Sequence, residues 1–405
     1  MTGDARPLLD VTRSLRRVRH PQQSGIDRVE RAYLDWTLEH RGALVAQIGT
    51  RLSRLEGQGA ASFAAFLDGG SAPLDLLARL RPDRDRRMRE GEALVRRHAI
   101  AQGTWPDVTM PGGVYLNVGH VNLTPGDMAA IRAAGMTRVV MLHDMIPLDY
   151  PEFSRPGVAE DMAGKLSAAC LAEHLLTNSA DTAERARDQA LGRGLPLPGI
   201  SVLPLGVSLP EPGRAGDPPD RPYFVCLGTI EPRKNHRLLL DIWQSMWDAG
   251  DTPADLRVIG RRGWLNEDVF ERLDWSDMTD RTLFEHSDMG DAETAALLTG
   301  AQALLMPSFA EGYGLPLAEA LSLGTPALVS NLAALREVGR EAPEYLPPDD
   351  QAAWSAAILD YAGDHPRRMA QLARIAQWQK PSWHDHFRDL DALLTELMSN
   401  RGRSS

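Results

Sequence analysis

The chain has 405 residues, 43% of them hydrophobic and 24% charged, with a formal net charge of −11. That length carries two cored domains, and the acidic balance argues against a nucleic-acid partner. No apolar run approaches the ~18–20 residues of a membrane span, the N-terminal M-T-G-D-A-R-P has no signal-peptide shape, and the two cysteines, Cys170 and Cys226, stand apart in apolar surroundings, the usage of a reduced, cytoplasmic protein.

In chain order, apolar runs alternate with amphipathic stretches. The first half predicts strands at Pro7–Val11, Ala43–Ile48, Val114–Val118, Arg138–His143, Leu175–Asn178 and Ser201–Pro204. Helices are predicted over Asp27–Glu39, Pro125–Ala134, Val158–Glu173 and Asp181–Leu191, the last behind a Ser179 cap. The most basic stretch, Arg79–Arg97, carries eight arginines against four acids. It reads either as a solvated, salt-bridged helix or as a surface for an anionic partner, such as the inner face of a membrane. A Pro/Gly-rich segment, Leu209–Pro222, has the composition of a linker.

The second half restarts with strand Tyr223–Leu227. Helix His236–Asp248, strands Leu256–Ile259 and Thr282–Glu285, helix Ala292–Leu298, strand Ala303–Met306, helix Leu315–Leu323 and strand Ala327–Val329 follow. The tail Asp350–Asn400 is predicted helical, broken near Pro381. Apolar strands without alternation, separated by helices, imply parallel sheets buried on both faces. The expected architecture is therefore α/β: two Rossmann-like doubly wound domains facing a central cleft, 1–208 and 223–380, joined by 209–222 and followed by a last segment, 381–405.

The motif with most chemistry is E-G-Y-G-L-P-L-A-E at 311–319, behind the strand Ala303–Met306. Gly312 and Gly314 precede a helix start, and a helix N-terminus favours anions. Glu311 and Glu319 flank that anion site, which makes sense for a ligand that also carries hydroxyls, because a carboxylate accepts hydrogen bonds from a sugar or ribose diol. The second motif, G-T-I-E-P-R-K-N at 228–235, ends the strand Tyr223–Leu227. Its Gly228 opens the turn, Arg233 and Lys234 are placed to grip a phosphate, and Asn235 is expected to cap the next helix. Lys234 is one of only three lysines among 44 cationic residues. In the first half, His143 and Asp144 end an apolar strand and belong at the cleft edge; His120 ends another and is a candidate for the acceptor side, as is Asp144, which also reads as a cap for the following turn. S-G-I-D-R-V-E at 24–30 offers Gly25 in a phosphate-facing turn. P-loop, nicotinamide-binding and nucleophile-elbow motifs are all absent, and no C-x-x-C or H-x-x-x-H cluster offers a zinc site.

Together these pieces resemble the retaining glycosyltransferases of the GT-B fold, glycosyltransferase family 4. P-S-F-A-E-G-Y-G-L-P-L-A-E-A-L-S-L-G-T-P (307–326) is similar to the family's donor signature, Glu311 and Glu319 meet its E-x7-E pattern, and Arg233 with Lys234 meets its phosphate-binding pair. Gly25 matches the first-domain glycine loop, though G-I-D-R stands where many members have a second glycine, and His143 matches the cleft histidine. The E-P-R-K-N variant is similar to members that build bacterial surface polysaccharides, several of which use GDP-mannose.

The resemblance implies transfer of a hexose from a nucleotide diphosphate sugar to a glycan or lipid-linked acceptor, with retention and without a metal or other cofactor. It implies Arg233 and Lys234 on the diphosphate, with backbone N–H groups of Gly314 and Leu315. It implies Glu319 on the ribose, Glu311 on the donor sugar, His143 on the donor from the opposite domain, and a last helix, Trp383–Met398, that crosses back to the first domain. Alternatives on the same architecture are a sugar-nucleotide epimerase or hydrolase and a non-catalytic sugar-nucleotide-binding protein.

Overall fold

The computed structural model describes residues 6–19, 24–71, 85–209 and 221–404. Two sheets organise them. The first contains β1 (Pro7–Asp10), β2 (Ala43–Ile48), β3 (Arg51–Leu55), β4 (Ala101–Gly103), β5 (Val114–Asn117), β6 (Thr137–Leu142), β7 (His174–Thr177) and β8 (Gly199–Val202), in the order β4-β3-β2-β1-β5-β6-β7-β8. The second contains β9 (Tyr223–Leu227), β10 (Asp255–Ile259), β11 (Leu283–His286), β12 (Leu304–Met306), β13 (Ala327–Ser330) and β14 (Glu344–Leu346), in the order β11-β10-β9-β12-β13-β14. All pairs in the second sheet are parallel.

The apolar strands predicted from sequence are present to within one or two residues, and those inside the sheets are covered on both faces, while the edge strands β8 and β11 are partly exposed. In β1, Leu9 faces one core cluster and Leu8 the other; in β9, Tyr223 and Val225 separate in the same way from Phe224 and Cys226. One cluster continues from the first sheet through Leu203, Leu205 and Val207 into the second and onto Leu390 and Leu394 of the last helix. Both cysteines are buried and free.

Several elements were not predicted. β3 and β4 pair antiparallel at the edge of the first sheet. β3 is joined to β2 through Gly49, at φ +60°, and Thr50, a tight two-residue hairpin. Helix Thr12–Arg17 is too short for a periodic signal, and helices Gly57–Leu67, Glu267–Trp275 and Ala333–Gly339 and strand β14 also emerge only here.

The arginine-rich stretch contains helix Arg86–His98; its earlier part lies outside the described residues. The helix buries Glu90, Gly91, Leu94 and Val95. Arg86 and Arg87 pair with Glu90, Arg96 pairs with Glu92, and the Arg87 guanidinium lies 3.8 Å from the Phe66 ring centroid. These contacts are those of a packed, salt-bridged helix. No helix among the described residues is long and apolar enough to cross a membrane. Most of the expected linker also falls outside the described residues.

The last helix, Trp383–Ser404, lies on the first domain. His386 bonds the Pro204 carbonyl at 2.9 Å and the Tyr33 hydroxyl at 3.0 Å, and Phe387 stacks on Trp36 with centroids 5.8 Å apart. Where it begins, a Cβ on Gly206 would sit 2.2 Å from the Trp383 backbone nitrogen. Backbone cannot yield as a side-chain tip can. Gly206→Ala is therefore expected to cost about 1–3 kcal/mol, the usual range for overpacking. A lowered melting temperature with loss of near-UV tryptophan signal would report it; an unchanged protein would show that the crossing tolerates displacement.

Candidate functional site

The second sheet has the strand order in which ligands bind outside the carboxyl ends, at the point where the order reverses. That point lies between β9 and β12, and the two motifs leave the sheet there. Gly228, at φ +139°, lets the chain turn out of β9, and Gly314, at φ +100°, precedes helix Leu315–Ser322. A Cβ on Gly314 would meet the Leu335 side chain at 2.4 Å, so left-handed backbone and tight packing both require glycine.

Between them Glu311 is held by three donors. Lys234 Nζ lies 2.5 Å from Oε1, Arg233 Nη1 2.9 Å from Oε2, and Ser308 Oγ donates to Oε1 at 2.7 Å. Burial alone would raise the Glu311 carboxyl, but Lys234 and Arg233 outweigh it and hold the pKa at about 2. Burial works against the Arg233 charge too; Glu311, Glu231 and Asp144 prevail and push its pKa up. Glu231 Oε1 is 2.6 Å from Arg233 Nε. Asn235 occupies the cap position of helix His236–Asp248 but does not cap it: its backbone is left-handed and its amide donates to the Pro348 carbonyl at 2.8 Å.

The first domain closes over this site. A Cβ on Gly312 would come within 2.3 Å of the His143 carbonyl, and the same carbonyl accepts from Asn178 Nδ2 at 2.9 Å. The Gly312 carbonyl accepts from Ser179 Oγ at 2.7 Å and Thr182 Oγ1 at 3.1 Å, so the predicted Ser179 cap also joins the domains. Glu337 accepts from the Ala180 and Asp181 N–H groups at 2.6 and 2.8 Å, capping a first-domain helix from the second domain.

The cleft has a volume of about 520 Å³. Among the residues named from sequence, Gly25, His143, Asp144, Gly228, Arg233, Lys234, Glu311, Gly312, Gly314, Leu315 and Glu319 line it. Gly25 is the first residue of helix Gly25–Glu39, and a Cβ there would stand 3.1 Å from Leu315 across the cleft. Asp144 caps the following turn through the Ile146 N–H at 3.1 Å. His143 is buried, its Nε2 is 2.7 Å from the Val118 carbonyl, and burial lowers its pKa to about 4. The imidazole is therefore neutral at pH 7, with Nε2 as the donor. His120 does not line the cleft: its ring packs 5.1 Å from His143 and Nε2 lies 2.7 Å from the Met141 carbonyl.

Sequence reasoning missed the partners of these residues. Arg28 crosses from the first domain to Glu319 and reaches Asp291 at 3.0 Å. Burial raises the Glu319 carboxyl against the lowering effect of Arg28. Arg28 was within the S-G-I-D-R stretch chosen for its glycine, one helical turn beyond Gly25. Arg13 and Arg17, also at the cleft, had no signal beyond charge. Among the described residues no group of three or more His, Cys, Asp or Glu side chains could hold a metal.

Residues 221–364 match the family model described as Glycosyl transferases group 1. The whole architecture is that of the GT-B glycosyltransferases. An α,α-trehalose-phosphate synthase (UDP-forming) from Burkholderia vietnamiensis aligns with a TM-score of 0.57 at 12% identity, covering 98% of this chain and 99% of its own. TarM of S. aureus aligns with a TM-score of 0.54 at 10% identity, covering 71% of this chain and 55% of its own. In sequence the chain is similar to the serotype-specific mannosyltransferase WbdA of Escherichia coli, 29% identical over 262 residues, 59% of this chain and 32% of the relative. It is also similar to the O-antigen chain mannosyltransferase B of Escherichia coli, 35% identical over 164 residues, 40% of this chain and 43% of the relative. The chain thus spans about a third to two fifths of the length of these relatives.

The buried imidazoles make acid lability predictable. Burial lowers His143 and His386 to about 4 and His120 and His236 to about 3, from an ordinary 6.5. Below 6.5 these four imidazoles bind more protons in the unfolded chain than in the folded one, so their contribution to stability falls as pH drops toward 3–4, opposed in part by buried carboxyls such as Glu30, raised to about 8, whose contribution grows as pH falls. Glu311 adds to the loss below about 4.5, as pH falls toward its folded value of about 2. Melting temperatures that stay level from pH 7 to pH 4 would contradict the buried neutral state of these groups.

Proposed function

We propose that this chain is a retaining glycosyltransferase that moves mannose from GDP-mannose to a glycan or lipid-linked acceptor in the synthesis of a bacterial surface polysaccharide. The observation that carries the reading is Glu311 gripped by Arg233 and Lys234 at the reversal point of the second sheet, beside the open start of helix Leu315–Ser322. Mannose is favoured by the mannosyltransferases among the similar proteins.

In this reading the donor diphosphate takes over Arg233 and Lys234 as partners. Glu311 is then free to accept hydrogen bonds from the sugar hydroxyls and so orient the anomeric carbon. The two cations stabilise the charge that develops on the leaving diphosphate, the kind of effect that is usually the largest catalytic term. The leaving phosphate receives the acceptor's proton in front-face attack, so no protein nucleophile and no metal are required. Glu319 accepts from the ribose, which requires Arg28 to yield or share it. Neutral His143 contacts the donor from the first domain, with Nδ1 as acceptor because Nε2 is committed to Val118.

Lys234→Ala and Glu311→Ala are each expected to lower turnover by ~100-fold or more, the size seen for removal of a charge stabiliser. The assay is release of GDP from GDP-mannose in the presence of a mannan or lipid-linked oligosaccharide acceptor. Near-normal turnover in both variants would reject the assignment. Release of free mannose without any acceptor dependence would favour the hydrolase instead. Turnover is also expected to survive excess EDTA; loss restored by Mn²⁺ or Mg²⁺ would overturn the metal-free reading.

A further inference from the structure

On the second-domain wall of the cleft, Arg233 and Lys234 face the carboxylates of Glu231 and Glu311. Two cations against two anions leave little net charge for a ligand that carries several negative charges. Arg28 adds none, since it is shared between Glu319 and Asp291. A second source of positive charge stands on the opposite wall.

That source is helix Thr12–Arg17, which is fixed before any ligand arrives. Asp10 accepts from the Thr12 N–H at 3.0 Å and Glu30 from the Ser14 N–H at 2.7 Å. Asp27 then receives Arg13 Nε at 2.8 Å on one oxygen and Arg17 Nε at 2.7 Å on the other. One carboxylate thus orients two guanidinium groups through their inner nitrogens. Arg13 Nη2 reaches Ser24 Oγ at 3.1 Å, while both terminal nitrogens of Arg17 have no hydrogen-bond partner among the described residues. Both side chains line the cleft and are only 22% and 33% exposed. Glu30, the next carboxyl toward Arg13, does not cancel them: burial pushes its pKa to about 8, so it is largely uncharged at neutral pH.

We propose that Arg13 and Arg17, mounted on Asp27, form a first-domain clamp for a phosphate group held in the cleft. Guanidinium forks suit phosphate oxygens, and a clamp on the domain opposite Arg233 and Lys234 engages fully only when the cleft is closed. The phosphate has two sources: the diphosphate of the donor, or a phosphate carried by the acceptor. The inference rests on the reading of the cleft as a nucleotide-sugar site.

The test uses the full chain and the Arg17→Ala variant. Arg17 has one partner, Asp27, among the described residues, so its removal disturbs little else; circular dichroism and melting temperature check the fold. Arg17→Lys provides a second variant that keeps charge and loses the fork. Binding of GDP and of guanosine is measured by calorimetry, and binding of inorganic phosphate is measured with GDP saturating. A donor-facing clamp predicts GDP binding weakened about tenfold in Arg17→Ala, equivalent to ~1.4 kcal/mol, with guanosine unchanged. An acceptor-facing clamp predicts unchanged GDP affinity and loss of a phosphate site that the parent protein shows on the GDP complex. Either result supports the clamp. Equal GDP affinity and equal phosphate binding in parent and variant would overturn it. Failure of the parent protein to bind GDP, UDP or ADP at all would instead strike at the proposed function itself.

Discussion

The site depends on a buried carboxylate that cannot be left alone. Glu311 is 7% exposed, and taking an ion out of water to that degree is costly unless it is paired and hydrogen-bonded. Its two oxygens meet Arg233, Lys234 and Ser308, and those residues come from two segments that leave adjacent strands, β9 and β12. The requirement to satisfy Glu311 therefore fixes the relative position of the 228–235 turn and the 307–314 turn. A ligand that takes the cations must also give the carboxylate new donors, which a phosphate alone does not provide and a phosphorylated or nucleotide-linked sugar does.

Closure follows from the same turn. Gly312 is the point where the two domains touch backbone to backbone, next to Glu311 in sequence. Its carbonyl is held by Ser179 and Thr182, while Glu337 caps the helix that those residues open. Further out, Trp264 Nε1 donates to the Phe153 carbonyl at 2.8 Å and Phe153 stacks on Phe309 with centroids 5.8 Å apart. The cleft is thus closed on one side by contacts that involve the 307–314 turn itself, which couples the position of that turn to the first domain. Aromatic overlap and hydrogen bonds of this number give a definite closed arrangement and still leave the two domains separable, because among the described residues no strand crosses between the sheets.

What the sequence revealed and what it concealed divide along physical lines. Strands such as Tyr223–Leu227 and Ala43–Ile48 were legible because a parallel strand covered on both faces is a continuous apolar run. The chemistry of 228–235 and 307–319 was legible because glycine positions and charged residues sit within a few residues of each other, at the end of such a run. β3 was not, since R-L-S-R-L gives neither a continuous apolar run nor a strict alternation, its two leucines standing three apart between polar residues, and the surrounding pattern led to parallel expectations. Helix Thr12–Arg17 was too short to show a period. His120 looked like a cleft residue because it ends a strand, yet residues behind a cleft end strands as well; its ring is the packing that holds His143.

Pairings across 291 positions, such as Arg28 with Glu319, carry no local signal at all. Yet their existence could have been argued from charge balance. A buried acid such as Glu319, in the second turn of its helix, needs a cation, and the second domain's own pair is already committed to Glu311 and Glu231. The missing cation then comes from the first domain, from the N-terminal turn of Gly25–Glu39, which approaches Leu315 at Gly25. Gly25 keeps that turn close to Leu315, and Arg28, one turn later, reaches across.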